Sequence, residues 1–233
     1  MRAQARHDLL DLAARQDILI LEDSPYRLVS PGPHLPALKS LDYHQRVIYL
    51  GSFAKTAFPG ARLGFVVADQ PVARPDGRAG LLADELAKVK SMVTVNTPTL
   101  SQAVIAGMLL GCDGRLAELN AKPAEHYARA MHDTLRHLER CFPAWKREAL
   151  GVRWNEPDGG FFLTLRVPFR ADDAALARSA EGFGVIWTPM SYFYPGGGGD
   201  HALRLSVSYL SERDITDGVS RLARFVEAES MRL

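Results

Sequence analysis

The sequence predicts an α/β chain: a mainly parallel sheet with one antiparallel strand, followed by a small α+β domain. Three observations carry this. Short continuous apolar runs at residues 18–21, 47–50 and 63–68 have the pattern of strands buried on both faces. Each of the first two ends in a cluster of polar or chemically reactive residues. From Gly151 onward the texture changes to short strands, glycine turns and two helices.

The elements follow in order. Residues 6–15 carry Leu9, Leu10, Ala13 and Ala14 at helical spacing between charges, an amphipathic helix. The run at 18–21 closes in Glu22-Asp23-Ser24-Pro25-Tyr26. Pro31, Gly32, Pro33 and Pro36 make the next stretch a loop. The run at 47–50 closes in Gly51-Ser52-Phe53-Ala54-Lys55, Pro59-Gly60 turns the chain, and 63–68 is the third strand. The connection from Lys55 to Arg62 is shorter than the roughly 10–12 residues a parallel crossover needs, so the third strand runs antiparallel to the second. One sheet edge then presents Asp23, Tyr26, Ser52, Lys55 and Arg62 together, at the carboxyl ends where open α/β sheets bind ligands.

Helices are expected at 81–90, at 99–110 with Thr97 as cap and Pro98 in the first turn, and at 123–141. Beyond them the pattern gives strands at 152–154 and 161–167 around a Gly159-Gly160 turn. A helix follows at 172–181, then strands at 185–188 and 202–209, and a final helix at 214–229. The four glycines 196–199 read as a flexible connector. Residues 1–120 are therefore expected to form one domain, and residues 121–233 a long helix with a small domain.

Composition narrows the function. The 233 residues carry 28 Lys+Arg against 27 Asp+Glu, a formal charge of +1, which argues against a basic nucleic-acid binder or a polybasic membrane-surface protein. A hydrophobic share of 47% excludes wholesale disorder. No apolar run approaches a membrane span, and no signal core follows Met1. Cys112 and Cys141 lack metal-ligand spacing and read as reduced thiols of a cytoplasmic protein, with no metal site.

The edge residues each admit two readings. Lys55 is either a solvated loop charge or an amine kept available for Schiff-base chemistry by nearby positive charge such as Arg62. Asp23 either caps a turn or faces a cationic ring nitrogen. Tyr26 is a core aromatic or a phenol donating to a ligand oxygen. Ser52 and Arg62 are a cap and an ion-paired arginine, or a hydroxyl and a guanidinium fork for a phosphate. Ser52-Phe53-Ala54-Lys55 also matches the S-x-x-K pattern of serine enzymes, which needs the serine to open a helix and needs S-D-N and K-T-G partners that are absent here.

The segments EDSPY (22–26) and GSFAKTAFPGARLGFVVA (51–68) resemble the strand-end Asp–Tyr motif and the lysine motif of pyridoxal-phosphate aminotransferases of fold type I, class I/II. VNTPTLSQA, the PDGGFF turn at 157–162 and the strand ALRLSVSYL extend the resemblance over nearly the whole chain. It implies transfer of an amino group between an amino acid and a 2-oxo acid. Lys55 would be the Schiff-base and proton-shuttling lysine, and Asp23 the partner of the pyridine nitrogen. Tyr26 would donate to the ring's 3′ oxygen, Ser52 and Arg62 would bind the phosphate, and Arg204 would hold the substrate α-carboxylate. It further implies a homodimer with active sites at the subunit interface. The chain corresponds to the C-terminal part of such an enzyme, with the family's Asn-Pro-x-Gly segment and glycine-containing phosphate loop expected ahead of Met1. The stretches LGSFAKT and VNTPTLSQAV are similar to aminotransferases of antibiotic pathways that act on hydroxyphenylglycine-type amino acids. An inactive remnant or a ligand-binding aminotransferase-like domain is the non-enzymatic alternative.

Overall fold

The computed structural model describes residues 1–30, 35–74 and 77–232. The turn expected at Pro31, Gly32 and Pro33 lies outside the described residues. The chain forms two compact units, Met1–Lys122 and Pro123–Leu233.

In the first unit, helix α1 (Ala3–Arg15) buries Leu10 and Ala13 and ends at Arg15, where the Ile18 N–H donates back to the Ala13 carbonyl at 3.1 Å. Leu10 packs with Leu38 and Val47, flanked by Leu9, Ile20 and Leu41. Strands β1 (Ile20–Asp23), β2 (Val47–Ser52) and β3 (Gly64–Val67) form a sheet in that order. β1 pairs with β2 in parallel, Asp23 opposite Leu50, and β2 with β3 antiparallel, Ser52 opposite Gly64. The short Lys55–Arg62 connection thus has the directional consequence expected of it.

Burial on both faces does not hold. Leu21 is 65% exposed and Phe65, Val66 and Val67 each exceed 40%. A continuous apolar run reads the same whether one face or both are covered, and only the neighbouring elements decide which. At two positions the sheet depends on the lack of a side chain. A Cβ on Gly51 would overlap the Phe65 ring, and one on Gly64 would lie 2.9 Å from the Gly51 carbonyl oxygen. Phe65 lies across Gly51, tilted against Tyr49 and Phe53 with centroids 6.0 and 5.2 Å away.

A two-stranded hairpin, β4 (Pro71–Ala73) with β5 (Ala79–Leu81), precedes helix α2 (Leu82–Thr94). The sequence reading placed no strands here, because segments of three residues are too short to show a period. Helix α3 (Thr99–Gly111) follows, but Thr97 does not cap it: Pro98 occupies the cap position, and the Thr97 carbonyl instead accepts from Gln102 Nε2 at 3.0 Å. The short helix α4 (Leu116–Leu119) comes next.

Helix α5 (Ala121–Cys141) tolerates Pro123 because it falls in the first turn. Helix α6 (Ala144–Leu150), not anticipated from sequence, starts behind Pro143 and ends at Gly151 with φ +66°. The second unit's sheet runs β6 (Arg153–Trp154), β7 (Phe162–Arg166), β9 (Ala202–Ser206), β8 (Thr188–Pro189), antiparallel throughout. The strand expected at 185–188 is met only at Thr188, where β8 begins, and the one expected at 202–209 ends at Ser206. Helix α7 (Asp173–Phe183) is capped by Asp172, whose carboxylate accepts from Ala175 N–H at 3.0 Å. Helix α8 (Glu212–Ser230) opens with a capping box of Ser211 and Asp214. Leu138, Phe142, Leu163, Leu165, Leu203 and Phe225 are almost wholly inaccessible and make the core.

Gly196-Gly197-Gly198-Gly199 is not a loose connector. Gly197, Gly198 and Gly199 take φ of +87°, +123° and +72°, and a Cβ on Gly199 would meet the Met190 carbonyl carbon at 2.8 Å. Only glycine combines that backbone with so close an approach.

Phe225, fully buried, packs against Phe169, Phe183 and Trp187 at centroid distances of 5.5, 5.6 and 6.1 Å. Phe225→Ala is expected to destabilise the second unit by about 3–5 kcal/mol, read as a lowered denaturant midpoint in the Trp187 fluorescence transition.

Candidate active site

The carboxyl ends of β1 and β2 and the start of β3 lie at one end of the first sheet. Side chains alternate along a strand, so Glu22 and Asp23 point to opposite faces. Glu22 is buried, and its carboxylate accepts from the Leu38 and Lys39 backbone N–H groups at 2.8 and 2.9 Å, with Arg6 at 4.0 Å. That network anchors the segment entering β2 and commits Asp23 to the other, exposed face. The Asp23 carboxylate, unlike its backbone in the β1–β2 ladder, has no hydrogen bond or ion pair to any described residue.

Beyond β2 the chain makes a tight turn around the Phe53 carbonyl, which accepts from Ala57 and Phe58 N–H at 3.0 and 3.1 Å. Ser52 Oγ accepts from Ala54 N–H at 3.2 Å, leaving its own proton to donate. Thr56 Oγ1 donates to the Ser52 carbonyl at 3.1 Å. Asn120, buried and remote in sequence, donates from Nδ2 to the Thr56 carbonyl at 2.6 Å and to the Leu116 carbonyl at 2.7 Å. The turn is held on three sides, and Lys55 stands exposed on it. Lys55 Nζ lies over the Tyr26 ring, 5.9 Å from its centroid, and among the described residues has no carboxylate partner. Arg62 sits exposed in the left-handed region (φ 49°), where the chain leaves the Pro59–Ala61 3-10 helix for β3.

Five of the six residues singled out from sequence therefore occupy this sheet end. Arg204 belongs to the second unit, on β9, with Thr164 and Thr188 opposite it on β7 and β8. Its guanidinium carbon lies over the Phe162 and Phe193 rings, 4.4 and 4.6 Å from their centroids. The S-x-x-K reading fails here: Ser52 closes a strand instead of opening a helix.

Sequence reasoning missed Glu22, Asn120 and Asp42 as supports. An acid inside an apolar strand was the available signal for Glu22. Nothing local marks Asn120. Asp42 locks the start of β2 by accepting backbone N–H groups of His44, Arg46 and Val47 at 3.2, 3.0 and 2.7 Å. Burial works against its charge, but the Arg46 and Val47 N–H donors and the Lys39 ammonium outweigh it and hold the carboxyl below the usual range.

Together, and among the described residues, the sheet end offers an amine without an acidic partner, a carboxylate without a cation, a phenol beside the amine, and a hydroxyl and guanidinium able to take a phosphate. This donor set fits an anionic pyridine aldehyde. The class defined by this fold is confirmed by comparison: residues 3–222 match the family Aminotransferase class I and II, and the chain belongs to it. Members of this family use pyridoxal phosphate.

Among individual relatives, the chain is 49% identical over 228 residues to (S)-3,5-dihydroxyphenylglycine transaminase of Amycolatopsis orientalis, covering 98% of this chain and 50% of that protein. It superposes on the multiple substrate aminotransferase of Thermococcus profundus with a TM-score of 0.83 at 30% identity, covering 100% of this chain and 54% of the other. The alpha-aminoadipate aminotransferase of Thermus thermophilus, crystallised with N-(5'-phosphopyridoxyl)-L-leucine, gives 0.82 at 28% identity, covering 100% and 56%. The chain spans about half the length of the curated relatives it matches.

Because the Asp42 carboxyl is lowered on folding, its contribution is complete above the unfolded value of about 3.9 and is lost as pH falls through the lower folded value. Asp42→Ala is expected to cost about 1–3 kcal/mol at neutral pH. Urea titrations at stepped pH should show the variant's stability falling less steeply than wild type below about pH 4.

Proposed function

We propose that this chain is the lysine-bearing part of a pyridoxal-phosphate-dependent aminotransferase that moves an amino group between an amino acid and a 2-oxo acid. The observation that carries the reading is the exposed Lys55 amine over Tyr26 at the sheet end that also presents Asp23. Pyridoxal phosphate, when bound, supplies an electron sink for the pair left on the substrate's Cα after proton loss.

The chain's own residues do the rest. Lys55 would hold the cofactor through Nζ, and the same amine would move the proton at the substrate's Cα. Asp23 would keep the pyridine nitrogen protonated by pairing with it. Tyr26 would donate to the ring oxygen, and Ser52 Oγ and Arg62 would hold the phosphate, the serine through the proton it does not use on Ala54. Arg204 would orient the substrate through its α-carboxylate, fixing the Cα–H bond for removal.

An amino acid of the hydroxyphenylglycine type is the substrate this reading favours, supported by the 49% identity to the dihydroxyphenylglycine transaminase. A cytoplasmic homodimer belongs to the same reading.

The test is direct. The 233-residue chain titrated with pyridoxal phosphate is expected to develop an absorbance band that borohydride removes by covalent trapping on Lys55. Lys55→Ala should show no trapping, and Asp23→Ala should weaken cofactor affinity about ten- to a hundredfold. A sample folded by circular dichroism that develops no reducible band overturns the proposal in favour of an inactive remnant.

A further inference from the structure

The glycine run at 196–199 and two aromatic rings have no role in the chemistry above, yet both rings lie at Arg204 and the run lies against the segment that carries one of them. Its guanidinium carbon lies over two ring faces, Phe162 at 4.4 Å and Phe193 at 4.6 Å, and no described residue gives it an ion pair or hydrogen bond. A planar cation flanked by aromatic faces keeps its N–H edges for a ligand, and a planar fork suits a carboxylate.

Both rings are themselves held. Phe162 opens β7 opposite Ser206, and its ring lies 4.6 Å from that of buried Phe161, which in turn lies 4.9 Å from Tyr127. The Phe161 carbonyl accepts from Val207 N–H at 3.0 Å. Phe193 ends the 3-10 helix Met190–Phe193, whose Tyr192 hydroxyl donates to Asp173 Oδ1.

The glycines set that 3-10 helix against β9. A Cβ on Gly199 would stand 2.8 Å from the Met190 carbonyl carbon and 2.9 Å from Ser191 N, and one on Gly198 would stand 3.2 Å from the Tyr194 ring. The Gly199 carbonyl accepts from Ala202 N–H at 3.0 Å, at the start of the strand that carries Arg204.

We infer that Phe162, Phe193 and the glycine run form a clamp that fixes the direction of the Arg204 guanidinium, so that it meets a substrate carboxylate already oriented. The inference rests on Arg204 being the carboxylate-binding residue. Phe162 and Phe193 are positioning residues, acting through Arg204. Gly199 acts one step further back, by letting the 3-10 helix that carries Phe193 approach β9.

The experiment uses the full chain labelled with nitrogen-15 at arginine and 4-hydroxyphenylacetate as the carboxylate probe, followed by side-chain NMR. In the wild type the Arg204 Nε–Hε signal, assigned by its loss in Arg204→Gln, should be displaced upfield by the ring currents of two aromatic faces. It should also move on addition of the probe. Phe162→Leu and Phe193→Leu should each reduce that displacement and weaken probe binding about two- to fivefold. Phe193→Tyr, which keeps a ring face, should restore both, a rescue a general packing role does not predict. Gly199→Ala should behave like Phe193→Leu. Unchanged probe affinity in both leucine variants, with Arg204→Gln still abolishing binding, overturns the clamp and leaves the carboxylate role intact. Unchanged binding in Arg204→Gln overturns the carboxylate role and the clamp with it. Neither readout uses transaminase activity.

Discussion

Everything at the first unit's sheet end depends on which of two adjacent acids faces inward. Glu22 is buried and saturated by two backbone N–H groups from residues 38 and 39. A carboxylate placed there without those donors would cost several kcal/mol, so the network and the strand register stabilise each other. Slipping β1 by one residue would bury Asp23 and turn Glu22 outward. The same donors tie the chain just ahead of Asp42, which fixes the start of β2 and hence the place where Ser52 and the Lys55 turn emerge. The solvent-facing carboxylate at position 23 is thus a by-product of a structural one at position 22.

The fold class and the direction of all three strands were legible because they follow from local facts: apolar runs, and a connection too short to cross over. The sheet-end gathering of Asp23, Tyr26, Ser52, Lys55 and Arg62 followed from those directions. Long-range partnership was not legible. Asn120 braces the Lys55 turn from the far end of the unit, and no spacing rule connects the two. Burial was misjudged for β1 and β3 because an apolar run does not record whether its second face has a neighbour. The glycine run was misread for a related reason: composition records the freedom of the bare chain, whereas Gly199 is fixed by the backbone it lies against.

The two units are built on different physics. The second has an aromatic core around Phe225, helix ends satisfied by Asp172 and by the Ser211–Asp214 box, and α7 bound to α8 by Arg178 on buried Glu229. Its sheet presents Arg204 from a strand with neighbours on both sides. The first relies on hydrogen-bonded acids and on a bare-backbone contact between Gly51 and Gly64. Family membership extends over both, while the matched relatives are about twice as long.

Strand β3 carries a further implication for the molecule in solution. Among the described residues its one sheet neighbour is β2, and Phe65, Val66 and Val67 all meet solvent. Helix α2 adds Met92 and Val93, both more than 75% exposed. An apolar strand with a free hydrogen-bonding edge is a template for adding another strand. None of the described residues covers this edge, so strand addition there is open when the chain is expressed alone.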